Sequence, residues 1–270
     1  MKFHGTDSYV ATDDLTMAVN AAVTLERPLL VKGEPGTGKT MLAHAIAENL
    51  KMPLIVLNVK SSMKLVEALY QYDTLTRLND SRFGDSNRDV SNIEDYIKMG
   101  KIGQAFTSAS RTVLLIDEID KADSSLPNTL LEVLGNGGFH VPIIDETVGM
   151  ARGLTKPLVI ITTNEEEELP AAFVRRCLVL HLHFDDRDYL RAWWRQQMET
   201  ADLPASSEDF SRDKALILWL IRRAEVHFQG VFSDRVKIKA AQLLIKDRRE
   251  AQRFGGVKPG QAEFLDLLKA

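Results

Sequence analysis

The stretch PLLVKGEPGTGKTMLAHAIAENL, residues 28–50, constrains this chain more than any other. An apolar run enters a loop with glycines at 33, 36 and 38, and a helix-forming run leaves it. Glycines let the backbone curl until several N–H groups face one anion, and the helix N-terminus adds partial positive charge. The loop matches G-x-x-x-x-G-K-[ST] in the strand-then-helix setting that gives this pattern its meaning. Gly33, Glu34, Pro35, Gly36, Thr37, Gly38, Lys39, Thr40 and Met41 therefore form the candidate nucleotide-binding segment. Lys39 is expected to reach the β- and γ-phosphates, and the Thr40 hydroxyl to ligate Mg²⁺.

Such a unit needs a sheet to sit in. PLLV at 28–31, LIVLNV at 54–59, TVLLID at 112–117, LVIITT at 158–163 and CLVLHLHF at 177–184 are short β-rich runs between helical stretches. That pattern predicts parallel strands buried on both faces, an α/β sandwich. Ligands of such sheets bind where the strands end. One run ends in adjacent carboxylates: Asp117 suits Mg²⁺, and Glu118 suits the orientation and deprotonation of an attacking water. A pure binding protein does not need Glu118, so hydrolysis is favoured. Asn164 closes another strand, where it bonds either the γ-phosphate or lytic water, or serves as a turn residue. Arg175 and Arg176 stand before the last run. A cation there stabilises charge on a transferring phosphoryl group; plain surface charge is the alternative.

After about Asp185 the texture becomes helical, so residues 1–185 are expected to form the α/β nucleotide-binding domain and 186–270 a smaller all-α lid. Trp193 and Trp194, at helical spacing, read as ordinary packing. The net charge of −4 and a pI near 5.9 give no electrostatic footprint for nucleic acid or an anionic membrane surface. The basic cluster KDRREAQR at 246–253 contains acidic residues and reads as a solvated helix face. A single cysteine, Cys177, excludes an internal disulfide and fits a reducing compartment. The opening residues lack the apolar core of a signal peptide, and no run approaches a membrane span. A soluble, cytoplasmic protein is the expectation.

With these pieces placed, the chain resembles the AAA+ ATPases of the MoxR type. The similarity runs from YVATDDLTMAVNAAVTLERPLLVKGEPGTGKT to KPGQAEFLDLLKA, and includes VKSSMKLVEALYQYDTLTRLNDSRFGD, LLIDEIDKADSSLPNTLLEVL and ELPAAFVRRC. The resemblance implies ATP with Mg²⁺ as ligand and cofactor, and a homo-oligomeric ring, usually a hexamer, with ATP between subunits. It implies that Asn164 is the sensor-1 residue and that Arg176 is the finger reaching the neighbour's ATP, with Arg175 the close runner-up. Asn58 falls where the family often has a polar residue gating the catalytic glutamate, and Tyr9 and Val10 are candidate walls for the adenine. The segment from about Ser61 to Ser110 is similar to the family's helix-2 region with its inserted hairpin, and FHVPIIDETVGMARGLTKP to its pre-sensor hairpin, with Pro142 and Asp145 supplying turn chemistry.

The resemblance further implies remodelling of a protein client, with a von Willebrand factor A domain protein as the typical companion. One departure stands out. Better-known members begin the last lid helix with glycine-serine-arginine, whereas here KPGQAEFLDLL puts Glu263 near the arginine's place. Arg235 is a substitute that no spacing fixes. The family's last helix is also expected to run beyond Ala270. A nucleic-acid motor or loader, a nucleotide-gated switch with little turnover and a small-molecule kinase are the competing readings. Glu118 and the arginine pair weigh against the switch, and the series Asp117–Glu118, Asn164, Arg176 followed by a helical lid weighs against the kinase.

Overall fold

The computed structural model describes residues 2–6, 9, 11–83, 89–122, 125–149, 156–182, 190–191, 194, 211–256 and 258–269. Helix α1 (Asp13–Leu25), with Thr12 as N-cap, leads into strand β1 (Leu29–Lys32). The phosphate-loop candidate follows, and helix α2 (Lys39–Leu50) leaves it for β2 (Leu54–Asn58). Strands β5 (Val113–Asp117), β8 (Leu158–Thr163) and β9 (Leu178–His181) complete one sheet of order β2-β5-β8-β1-β9, and every pairing in it is parallel. Each of the five runs read from the sequence forms a strand of this sheet.

The strands' two-residue period divides the apolar residues between two cores. Leu30, Leu114, Ile116, Val159 and Ile161 face one side with Phe106, Leu130 and Phe173. Leu29, Val31, Val113, Leu115, Leu158 and Ile160 face the other with α1 and α2. At roughly 25 cal/mol per Å² of apolar surface removed from water, this two-sided burial is the main force holding the sheet and its flanking helices together.

Two small ladders decorate the sheet. Between β2 and β5 the chain forms α3 (Leu65–Leu69), β3 (Tyr70–Tyr72), α4 (Thr74–Phe83), β4 (Ile97–Met99) and α5 (Lys101–Thr107). Strands β3 and β4 pair antiparallel and bracket α4. This is the place where the sequence suggested an inserted hairpin; the ladder exists, with a helix between its strands. Close approach makes it possible, because a Cβ on Gly100 or Gly103 would sit within 2.4 Å of the backbone of α3. After α6 (Ser125–Asn136), strands β6 (Gly138–Val141) and β7 (Glu146–Gly149) form the second expected hairpin. Its turn uses Pro142 and Asp145, the latter at φ 51°. Residues 150–155 of that segment lie outside the described residues.

Helix α7 (Ala171–Arg176) precedes β9. The later helices are α8 (Arg212–Phe228), α9 (Asp234–Phe254) and α10 (Gln261–Lys269). They share a third apolar core, with Leu190, Trp219, Leu244 and Phe264 in it and Trp194 packed at its edge, as its spacing suggests. Trp193 lies outside the described residues. Among the described residues, no helix is long and apolar enough to cross a membrane.

Candidate functional site

The site begins with loop geometry. Gly36 and Gly38 adopt φ 75° and 90°, where side chains are strained, and Gly33 lies so close to β9 that a Cβ would stand 2.4 Å from the Leu182 carbonyl oxygen. Helix α2 opens at Gly38 with no side-chain cap and no acidic residue in its first turn, which leaves its N–H groups suited to an anion. Lys39 is almost fully buried, and its Nζ donates to the carbonyls of Gly33 (2.7 Å) and Glu34 (2.9 Å). Burial pulls its pKa down, while Asp120 foremost, then Asp117, Glu118 and Glu165, hold it up. Thr37 donates to the Glu34 carbonyl at 2.8 Å, and Met41 is exposed in the first turn of α2.

Parallel register brings the next groups alongside. Asn58 pairs with Asp117 across β2 and β5, and is exposed. The Thr40 hydroxyl stands 3.1 Å from both Asp117 carboxylate oxygens. Thr162, buried on β8, donates to Asp117 Oδ1 at 2.6 Å and accepts from the Glu118 N–H at 2.9 Å. Glu118 sits at φ 59°, a left-handed conformation costly for a non-glycine residue. Its Oε2 accepts from Lys121 at 2.6 Å, and that contact raises the Lys121 pKa.

A hydroxyl and a carboxylate on neighbouring elements are the hard oxygen donors that suit Mg²⁺. That ion takes one or two carboxylates plus phosphate oxygens in preference to an all-protein cage. Among the described residues, no group of three or more His, Cys, Asp or Glu side chains is placed for a metal.

Asn164 follows β8. Its backbone N–H donates to Asp120 Oδ2 at 2.9 Å, and its side chain to Glu166 at 3.4 Å. Asp120 is 3% exposed and also accepts from the Glu166 N–H at 3.1 Å, so it ties the turn after β5 to the turn after β8. Arg175 and Arg176 end α7 with exposed side chains. Their turn is fixed from below: Arg27 donates to the carbonyls of Arg175 (2.9 Å), Arg176 (3.3 Å) and Cys177 (3.2 Å). Arg175 also lines an open groove of about 630 Å³ with Lys32, Thr163 and Glu165, and Lys32 pairs with Glu165 at 2.9 Å.

On the other flank, Tyr9 is buried, its ring 3.7 Å from where a Cβ on Gly38 would stand, with the Arg223 guanidinium 5.3 Å from the ring centroid. Val10 lies outside the described residues.

Sequence reasoning missed Asp120, Thr162, Arg27, Arg223 and Arg248. The last corrects an expectation. Residues 246–253 are not a wholly solvated face, because Arg248 is 5% exposed and pairs with Glu34 of the loop at 3.3 Å. It continues the buried stripe of α9 (Lys237, Ala241, Leu244, Arg248), and that phase was the available signal. Arg235 stays exposed in the first turn of α9, and Glu263 accepts from the Gly260 N–H at 2.7 Å, capping α10. An arginine of the later helices thus reaches the loop: Arg248, on α9.

The family model described as "ATPase family associated with various cellular activities (AAA)" matches residues 29–185. The mitochondrial Lon protease homolog 1 of Dictyostelium discoideum is 31% identical over 160 residues, which is 56% of this chain and 14% of that protein. The chain thus spans about a seventh of this Lon relative's length. Gas vesicle ATPase GvpN2 of Halobacterium salinarum is 22% identical over 254 residues, 88% of this chain and 69% of that protein. Among solved structures, the RuvB Holliday junction branch migration motor of Thermotoga maritima is similar with 18% identity and a TM-score of 0.39, covering 95% of this chain and 66% of that one. The chain belongs to the AAA family of ATPases, enzymes that bind and hydrolyse ATP.

Proposed function

We propose that this chain is a MoxR-type member of its family, working as a ring in which each ATP is completed by a neighbouring subunit to remodel a protein client. The observation that carries the reading is the placement of Arg175 and Arg176. Both are exposed on a turn clamped by Arg27, and neither side chain has a hydrogen bond or ion pair among the described residues. A rigid, outward cation pair in an ATPase fits a charge supplied to another subunit's phosphates.

Within one subunit each residue is assigned a role in this reading. Lys39 and the first N–H groups of α2 hold the phosphates. Thr40 and Asp117 would hold Mg²⁺, which neutralises phosphate charge when bound. Thr162 keeps Asp117 and the Glu118 backbone aligned, and Glu118 takes the proton of the attacking water once it leaves Lys121. Asn164 positions that water, and Tyr9 walls the base. The ring is expected to be hexameric and cytoplasmic, the residue ranges 1–185 and 186–270 to be its two domains, and a von Willebrand factor A domain protein to be its companion. Nucleic acid is disfavoured, because the cluster at 246–253 spends Arg248 on Glu34 and Arg249 on Asp213.

Glu118→Gln should keep ATP binding and lose turnover by about 10²–10⁴-fold, the usual worth of a general base. Wild-type hydrolysis by that variant would remove Glu118 from the role. Arg176→Ala should be inactive alone, and mixing it with Lys39→Ala subunits should restore some ATPase. Absence of rescue at every mixing ratio, for Arg175→Ala as well, would sink the shared site.

A further inference from the structure

The lid meets the phosphate loop through charge as well as packing. Glu34, the second residue of the loop, has its carboxylate between two lid cations. Arg248 Nη2 stands 3.3 Å from one oxygen and Lys258 Nζ 3.3 Å from the other. Arg248 also donates to the Pro259 carbonyl. The backbones touch too: the Gln261 N–H donates to the Gly36 carbonyl at 3.3 Å. A Cβ on Gly260 would stand 2.8 Å from the Pro35 carbonyl oxygen, so only glycine lets the lid this close. The Glu34 carbonyl meanwhile accepts from Lys39, the lysine of the same loop. One residue therefore joins the lid to the phosphate-binding lysine.

We propose that the Glu34 carboxylate is a docking post by which Arg248 holds the lid on the phosphate loop, and that this ion pair sets how fast nucleotide enters and leaves. Arg248 is then a positioning residue, acting through Glu34 and not on the phosphates. The proposal rests on residues 33–40 being the nucleotide loop.

The two partners differ in what separation costs them. Glu34 is 46% exposed and rehydrates readily, whereas Arg248 is 5% exposed and would keep a charge poorly solvated. Such a pair is weak enough to part during each cycle and strong enough to bias the lid downward. Nucleotide passes only when the lid lifts, so a contact that favours the lowered lid, made away from the phosphates, slows entry and exit alike. Its loss should speed both by the same factor and leave the equilibrium affinity alone.

The test is stopped-flow exchange of a fluorescent N-methylanthraniloyl ADP on the intact chain, comparing wild type, Glu34→Gln, Arg248→Gln and the double variant. Each single change should raise the association and dissociation rates together by about fivefold, the scale of a half-exposed ion pair. The dissociation constant should hold in Arg248→Gln, and the double variant should exchange no faster than the faster single. Should Arg248→Gln fail to fold, Glu34→Gln decides alone, since its side chain is half in solvent. Unchanged exchange in Glu34→Gln would overturn the latch. So would weaker affinity at an unchanged association rate, which marks damage to the loop itself, or additive effects in the double variant. Failure of the wild type to bind the probe would overturn the nucleotide-loop reading, and the latch with it.

Discussion

The strand ends of the sheet and the inner faces of the lid helices both supply groups to the phosphate loop, but they place them by different means. At the strand ends the backbone decides. Parallel register sets Asn58 beside Asp117, and Thr162 then bonds Asp117 across to β8. In the lid the decision belongs to packing phase. Arg248 occupies a position of the stripe that buries Leu244 and Ile245 of α9, and Arg223 lies on α8 over both Trp219 and Tyr9. Groups placed by register tolerate a good deal of change in the layers around them. Groups placed by packing depend on the third apolar core, so a change in that core is expected to move them.

The largest effect is expected at Asp120, which lies in the turn after β5 and was not legible in the sequence. Asp120→Ala leaves two backbone N–H groups, those of Asn164 and Glu166, without their acceptor. A displacement of about 1 Å at a catalytic turn costs on the order of 10²-fold in turnover, so single-turnover hydrolysis should fall by about that much while ATP binding persists. Asp120→Asn separates hydrogen bonding from charge, because the amide oxygen still accepts but the negative charge beside Lys39 is gone. Asp120 is the leading influence holding the Lys39 pKa up against burial. Without it the lysine loses its proton at lower pH, so the alkaline loss of ATP binding should move to lower pH. Normal turnover in Asp120→Ala would show that the Asn164 turn needs no anchor.

The contrast between the halves also explains what was legible in the sequence. The phosphate loop, the Asp117–Glu118 pair and all five strands could be read because each is a contiguous pattern whose geometry is local. Thr162 was hidden because nothing distinguishes it from a β-branched strand residue until its neighbour is known to be Asp117. Arg27 and Asp120 were hidden for the same reason: their partners lie 149 and 44 residues away in sequence. Arg248 was misread because a charged cluster was judged by composition, although its phase with Leu244 marked it as inward. The ladder bracketing α4 was foreseen in place but not in content, since three-residue strands leave almost no periodicity to read.

Arg27 offers a smaller effect on the register side. Its three bonds to the carbonyls of residues 175–177 fix the turn without touching any reacting group. Hydrogen bonds from a charged donor contribute about 1.5–3 kcal/mol, so loosening this turn should lower steady-state ATPase by about tenfold. Nucleotide binding should be untouched in Arg27→Ala, as Phe173 and Cys177 of that turn pack on the opposite face of the sheet from α2. Loss of both together would mean that Arg27 supports the sheet and not the arginines.

On the lid side, Arg223→Ala removes a cation from the faces of Tyr9 and Trp219. Such contacts are worth about 0.5–2 kcal/mol, which predicts affinity for ATP weakened by about fivefold. Arg223→Lys should recover part of it, since the ammonium keeps the charge but loses the flat stacking surface. Equal affinity in all three proteins would mean that the contact of Arg223 with Tyr9 plays no part in nucleotide binding.

The smallest effect lies furthest from the nucleotide, in the ladder around α4, and asks whether that outlying unit is held like the strand ends or like the lid. Asp73 accepts from Lys98 at 2.6 Å across the ladder and from the Thr76 N–H at 3.0 Å at the start of α4. The bond to Lys98, followed by those to Thr76, lowers its pKa from 3.8 to about 2. A carboxylate with a depressed folded pKa contributes stability that is complete above its unfolded value and is lost as pH falls through the folded one. The contribution should therefore be full above about pH 4 and should fade toward pH 2. A carboxyl-carbon NMR titration should place the Asp73 midpoint near 2, and Lys98→Gln should move it upward while Thr76 keeps it below the ordinary value. A midpoint near 3.8 in the unaltered chain would mean that Asp73 and Lys98 contribute nothing to closing the ladder, which its backbone pairing and packing then hold alone.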